Sequence, residues 1–293
     1  MKICFIPNLG TKRVTNEPKW GAEFFADAFQ KYSPNEVTVE YTLNNLNEYD
    51  LIWVHNVANL LKGIPGRANL VKTLLKVHPP LIGGVRGEVG FDAARHYLRF
   101  FDAIHTSNQR LTEQASQYKS KSHTLSSGVD PSWFTPHPTP ETFSLGWAGD
   151  SKKNMKNVDI INTLPFPMVW ATKDNYIPHN DMPKRFYHKI NALVHPSSHE
   201  GSCRVITEAA ACGLPIICTN VGHNDTLVHP DWMFSLNKNA RSKIIHLLTK
   251  LKENPELAYK VGSENRERAR IYSWPSVIER AHLIIDQVLE NQQ

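Results

Sequence analysis

The sequence predicts an α/β protein built from two doubly wound, Rossmann-like domains. Three observations carry that expectation. Short apolar runs alternate with helical stretches from the first residues onward, the order that calls for parallel sheets covered by helices. The chain has 293 residues, enough for two domains of ordinary size. The proline-rich run at 131–140 separates two such alternating series and reads as a linker.

Taken in order, residues 1–7 form a short apolar strand and 8–19 a polar loop. The first helix starts near Trp20 and Gly21 and carries Phe24, Phe25, Ala28 and Phe29. Residues 36–43 alternate as a strand, whereas 49–55 is continuously apolar and therefore central. A helix at 70–77, a strand at 80–85 and a helix at 93–101 follow; Tyr97, Phe100 and Phe101 read as that helix's core side. A strand at 103–106, a helix at 111–118 and a strand at 123–126 close the first sheet. The second series opens with a strand at 143–149, a helix near Val158, a strand at 168–171, a loop at 172–181 and a short helix at 182–188. The apolar run 192–194 leads through a turn to a helix whose first turn is 202–204; Gly213 caps it and 216–218 is the next strand. Polar-faced helices occupy 241–252 and 255–271. In the last helix Ser273 is the N-cap, Pro275 sits early, and Val277, Ile278, Ala281, Ile284, Ile285 and Val288 form one apolar stripe.

Composition narrows the class. The chain is 41% hydrophobic and 21% charged with a net charge of +5, globular and mildly basic, without a block of like charge. Cys4, Cys203, Cys212 and Cys218 lack metal spacing and read as reduced thiols of a cytoplasmic protein. The first apolar run is too short for a signal-peptide core, and no run approaches the length that inserts into a membrane.

The chemistry concentrates in 191–225. A glycine-carrying loop follows a strand and opens a helix there, and helix-start amides favour an anion such as a diphosphate. Glu200 and Glu208 flank those amides; carboxylates repel phosphate, so they are expected to accept hydrogen bonds from sugar and ribose hydroxyls. The alternative is an ordinary αβ unit in which Arg204 and Glu208 form a surface ion pair one turn apart.

This stretch resembles the donor-binding signature of the retaining GT-B glycosyltransferases, the group 1 family, with a form similar to family 4. The pattern PS-x-x-EG, seven residues between glutamates, then EA-x-A-x-G-x-P is matched by Pro196, Ser197, Glu200, Gly201, Glu208, Ala209, Ala211, Gly213 and Pro215. Ser202, Cys203 and Arg204 depart from it. The resemblance implies a GT-B fold, two domains facing across a cleft with the C-terminal helix crossing back. The acceptor-side domain would span 1–130, ending at the Gly128-Val129-Asp130 motif; the linker 131–142, the donor domain 143–272 and the crossover helix 273–293 would follow.

It also implies roles. Glu200, Lys156, His55 and Arg86 are the catalytic candidates. Gly21, Lys152, Lys153, Tyr176, Gly201, Ser202, Cys203, Arg204 and Glu208 are the donor-binding ones. Lys156 closes a family glycine–lysine pattern after Gly149, but Asp150 replaces the usual arginine, leaving Lys152 or Lys153 to supply the second charge. Gly21 is the one glycine left of a family pair at the head of the first helix, and Arg86 stands where relatives carry histidine. No D-x-D pattern exists, and His195 and His199, though four residues apart, flank a Pro-Ser-Ser turn rather than sharing a helix face as in a zinc helix, so the site is expected to hold no metal, and no cofactor beyond the nucleotide-sugar substrate is implied.

The expected activity is retaining, metal-independent transfer of a hexosyl or pentosyl group from a nucleotide sugar, such as a UDP-sugar, to an acceptor hydroxyl. Lys12, Arg13, Lys19 and Arg86 make a basic lip like that of compact virus-encoded enzymes that glycosylate hydroxymethylated bases in DNA, which would act in a host's cytoplasm. A cell-envelope glycan is the alternative acceptor; a sugar-nucleotide epimerase or a non-catalytic sugar-nucleotide binder is the alternative class.

Overall fold

The computed structural model describes residues 1–7, 21–61, 73–74 and 76–291. The loop expected at 8–19 and half of the helix expected at 70–77 lie outside them. The described strands are β1 (Lys2–Ile6), β2 (Glu36–Val39), β3 (Leu51–Val54), β4 (Leu81–Val85), β5 (Ala103–Thr106), β6 (Ser122–Thr124), β7 (Leu145–Ala148), β8 (Met168–Ala171), β9 (Ala192–His195), β10 (Ile216–Thr219) and β11 (Met233–Phe234). The described α-helices are α1 (Gly21–Tyr32), α2 (Val57–Leu61), α3 (Glu88–Ala94), α4 (Gln109–Ser116), α5 (Val158–Asn162), α6 (Met182–Arg185), α7 (Arg204–Ala211), α8 (Asn224–Leu227), α9 (Ala240–Glu253), α10 (Pro255–Ala269) and α11 (Trp274–Glu290). None of the described helices is long and apolar enough to cross a membrane.

Two compact units result, one of Met1–Ser127 with Trp274–Gln293 and the other of Gly128–Ser273. In the first, a parallel sheet runs β2-β1-β3-β4-β5-β6. β3 is buried at every residue, which its uninterrupted Leu-Ile-Trp-Val demands. One face is covered by α1 and α11: Phe29 meets the Trp53 ring edge-on at 5.3 Å, and all six residues of the α11 stripe are buried in the same cluster. The expected helix at 93–101 begins earlier, at Glu88, and tightens into a 3-10 turn over Arg95–Phe100. That winding turns Phe91, Ala94, Leu98 and Phe101 inward and leaves Phe100 exposed under Arg99, against its expected core position.

The second unit has a five-stranded parallel sheet, β11-β10-β9-β7-β8. α7 starts at Arg204, two residues later than expected, because Cys203 has extended backbone (φ −81, ψ 101) and serves as its cap. The helix ends at the left-handed Gly213, φ +71.

Candidate functional site

Open parallel sheets bind ligands beyond the carboxyl ends of their strands, where the strand order reverses. In the second unit that point lies between β7 and β9, which pair directly at Leu145 with Ala192 and Gly146 with Leu193. The loops leaving these two strands are tied together. Ser198 donates its amide to the Met155 carbonyl at 2.8 Å, and Asn157 Nδ2 donates to the Pro196 carbonyl at 2.7 Å. Asn157 itself adopts left-handed backbone, φ 47, which asparagine tolerates better than most residues.

The tie brings Lys156 to Glu200, 44 residues away in sequence. Lys156 Nζ donates to Glu200 Oε1 at 2.5 Å. The same oxygen accepts from Ser197 Oγ at 2.7 Å and stands 3.0 Å from His195 Nε2. Burial works against ionising Glu200, but His195 and Lys156 outweigh it and hold the carboxyl far below the usual range. Burial likewise opposes charge on His195, yet Cys203 and Glu200 push its pKa up to about 9. Lys156 is also raised: burial opposes, and Cys203 and Glu200 prevail. The result is a buried carboxylate held ionised by two cations.

One turn into α7 lies the second glutamate. Glu208 is 3% exposed. Its Oε2 accepts from the Tyr187 hydroxyl at 2.6 Å, while its Oε1 faces His179 Nε2 at 3.0 Å and Arg204 Nε at 3.5 Å. The Arg204–Glu208 pair thus exists, in a buried cluster rather than on a surface. Burial favours the neutral acid, but His179 and Arg204 keep Glu208 below the ordinary carboxylate range. The Tyr187 hydroxyl is pushed well above its ordinary value by burial and by Glu208.

The helix start differs from the expected anion cradle opening at Ser202. Cys203's amide donates to His223 Nδ1 at 3.3 Å, which makes Nε2 the protonated nitrogen, facing Thr207 Oγ1 at 2.9 Å. Gly201 and Ser202 are half-buried in the loop before it. That loop presses on Gly222, whose φ is +63; a Cβ there would meet the Gly201 carbonyl oxygen at 2.7 Å. Glycine is required by both the backbone and the space.

The other donor-side candidates stand apart from this centre. Lys152 Nζ lies 3.5 Å from Asp174 Oδ1, both side chains largely exposed, and Lys173 pairs with Asp150 at 2.8 Å. Lys153 is exposed, with its amide donated to the Asp150 carbonyl, and Tyr176 is half-exposed. In the first unit the strand order reverses between β1 and β3, where Gly21 heads α1 and His55 follows β3. Beyond its chain neighbours and its own helix backbone, no described atom lies within 4 Å of where a Gly21 Cβ would stand. His55 is buried against Phe25 and Phe5, ring centroids 5.0 and 5.6 Å away. Arg86 gives its guanidinium to the Leu125 carbonyl at 2.6 Å and to Ser127 Oγ at 3.1 Å.

Sequence reasoning missed His195, His179, Tyr187 and His223 as members of the site. A signal existed for the first: His195 ends a strand directly before the Pro196-Ser197 turn, as His55 ends the third strand of the first unit.

Residues 175–268 match the family model of the glycosyl transferases group 1. The chain is similar to the capsular polysaccharide biosynthesis glycosyltransferase CapM of Staphylococcus aureus, 34% identical over 93 residues, 31% of this chain and 24% of that protein. It is also similar to the O-antigen chain mannosyltransferase B of Escherichia coli, 28% identical over 107 residues, 36% of this chain and 27% of that protein. These matches span about a quarter of the relatives' length. In fold the similarity covers nearly everything. Anabaena HepE, solved in complex with UDP-glucose, superposes with a TM-score of 0.73 at 13% identity, covering 98% of this chain and 100% of that one. Sucrose-phosphate synthase from Thermosynechococcus elongatus gives 0.71 at 12% identity, covering 99% of each. The fold is the one shared by the GT-B glycosyltransferases, two Rossmann-like units with parallel sheets.

Proposed function

We propose, from the group 1 family match over residues 175–268 and the GT-B fold of the whole chain, that this protein transfers a sugar from a nucleotide-diphosphate donor to an acceptor hydroxyl. The observation that carries the reading is the Lys156–Glu200 contact at the reversal of the second sheet. A departing diphosphate needs fixed positive charge, and an ammonium has three donors, of which Glu200 takes one. Lys156 is therefore oriented by Glu200 while keeping hydrogens for phosphate oxygens, without any metal. Glu208 offers about four lone-pair directions; Tyr187, His179 and Arg204 occupy three, leaving one for a ribose hydroxyl. Gly201 and Ser202 approach the phosphates, Lys152 and Lys153 add long-range charge, and Tyr176 lies beside the nucleobase.

The donor is a UDP-sugar, as HepE was solved with UDP-glucose. The acceptor hydroxyl attacks from the face the nucleotide leaves, and its proton passes to the diphosphate, so configuration is retained and no side chain becomes a nucleophile. On the first unit, Gly21 and His55 are the candidates for acceptor contact, and Arg86 is held by the Leu125 carbonyl and Ser127 Oγ. The acceptor class is a glycan, by analogy with the capsular and O-antigen relatives. A DNA acceptor is the second reading, and of its basic lip only Arg86 lies within the described residues, donating to the Leu125 carbonyl and Ser127 Oγ.

The test is donor turnover. Purified protein should slowly hydrolyse one UDP-sugar and transfer it faster to a glycan acceptor, with the product anomer read by NMR and EDTA without effect. Lys156→Ala should lower turnover about 100- to 1,000-fold, the usual cost of removing a donor aimed at developing charge. Normal turnover by that variant, or an epimerised nucleotide as sole product, rejects the assignment.

A further inference from the structure

Three side chains from the end of β9 and the loop after it converge on one point. His195 Nε2 stands 3.0 Å from Glu200 Oε1 and 3.3 Å from Cys203 Sγ, and the three donor atoms all lie within 4.8 Å of one another. The spacing His-x4-Glu-x2-Cys matches no familiar metal pattern, because it follows an irregular loop rather than a helix or a knuckle. The geometry is nonetheless that of ligands. A tetrahedral zinc, with bonds of about 2.0 Å to nitrogen and oxygen and about 2.3 Å to sulfur, holds its donors about 3.2–3.6 Å apart. The observed nitrogen–oxygen and nitrogen–sulfur separations need to open by only a few tenths of an ångström to meet that. All three residues come from one short segment, braced from behind by Gly222 against Glu200 and Gly201.

The donor set also selects the ion. Imidazole, carboxylate and thiolate suit a borderline-soft divalent cation, whereas magnesium and calcium take oxygen ligands. Lys156 and a cation compete for the same place, since its ammonium bonds the very oxygen, Glu200 Oε1, that would turn to a metal. We propose that His195, Glu200 and Cys203 form a binding site for a divalent cation of the zinc class, and that its binding expels Lys156 from Glu200 and silences the site. The cation acts as an inhibitor of a reaction that itself needs no metal. The inhibitory half rests on the glycosyltransferase reading above; the binding half does not.

Cobalt is the probe, added to the reduced, chelator-stripped full chain. About one equivalent should produce visible bands of tetrahedral cobalt and a near-ultraviolet thiolate-to-cobalt band, both erased by zinc. Cys203→Ser should abolish the thiolate band and Cys212→Ser should leave it. Absence of the band from the wild type, or its survival in Cys203→Ser, overturns the site. Lys156→Met removes the competing ammonium and should tighten cobalt binding about tenfold; unchanged or weaker binding counts against the competition. In turnover assays one equivalent of zinc should slow donor hydrolysis at least about tenfold, reversibly with EDTA. Undiminished turnover with zinc bound defeats the inhibitory half. A cobalt band in a protein that turns over no nucleotide sugar rejects the transferase reading and leaves the cation site standing.

Discussion

His55 and His195 occupy corresponding places in the two units: each stands at the carboxyl end of its unit's third strand, beside the reversal of strand order. Both are buried, at 4% and 0% exposure. Their charges are opposite in tendency. His55 is held well below its ordinary pKa by burial first, then by Arg86 and His105. His195 is pushed up to about 9, because Cys203 and Glu200 outweigh burial. The position is set by the sheet; the protonation state is set by the loop that follows. The first unit dresses its reversal point with aromatic rings and neutral histidines, and the second with a paired carboxylate, ammonium and imidazole. Buried charge is tolerable only where partners satisfy it: among the described residues the second unit pairs its charges with one another, whereas the first gives Arg86 a neutral carbonyl and a hydroxyl.

Removing a partner from the charged side should produce the largest effect. Glu208→Ala leaves Tyr187, His179 and Arg204 facing a hole and should cost about 3–5 kcal/mol. Glu208→Gln keeps an acceptor and should cost less. Urea denaturation, followed by hydrogen exchange to separate the units, measures both; a cost below about 1 kcal/mol for the alanine variant would break the contrast. Gly222→Ala comes next, with strained positive φ and a Cβ against the Gly201 carbonyl costing about 1–3 kcal/mol, and with turnover reduced as Glu200 shifts.

The acid limb sharpens the comparison further. His55 and His105 both titrate well below 6.5 when folded, so below about pH 6.5 the unfolded chain binds protons that the first unit cannot. Stability of that unit should fall as pH drops through that range. His195 has the reverse sign: its contribution is complete below 6.5 and is lost as pH rises toward about 9. Between about pH 5 and pH 9, above the range where Glu200 and Glu208 take up protons, hydrogen exchange resolved by peptide should show the first unit loosening toward acid and the second toward base. Parallel loosening at both ends would refute the distinction. The smallest effect belongs to Lys152→Ala, whose exposed pairing with Asp174 should contribute less than about 1 kcal/mol to thermal stability.

Much of this was legible beforehand. The uniformly apolar run around β3 announced a central strand, and the α11 stripe announced a buried face, because strand and helix periods are local properties. The helix at Glu88 was misread because 3-10 winding changes which residues turn inward. Glu200 and Glu208 were legible through their resemblance to the group 1 donor-binding signature. Lys156 was legible as a candidate, but its contact with Glu200 across 44 residues and that of Tyr187 with Glu208 across 21 were not, because neither distance carries a period. Cys203 looked like a substitution in a pattern; only its 3.3 Å approach to His195 shows what it touches.

By itself, the sequence determined the alternation of strands and helices, the loop and helix carrying the two glutamates, and the apolar face of the last helix. These depend on neighbours within a turn or two of chain. The tertiary structure alone decided which charges are buried together, which histidine is pushed toward the cation and which toward the neutral form, and which side chains surround Glu208. Those depend on a parallel sheet that sets distant loops side by side, and on desolvation, which makes each contact there count for far more than it would in water.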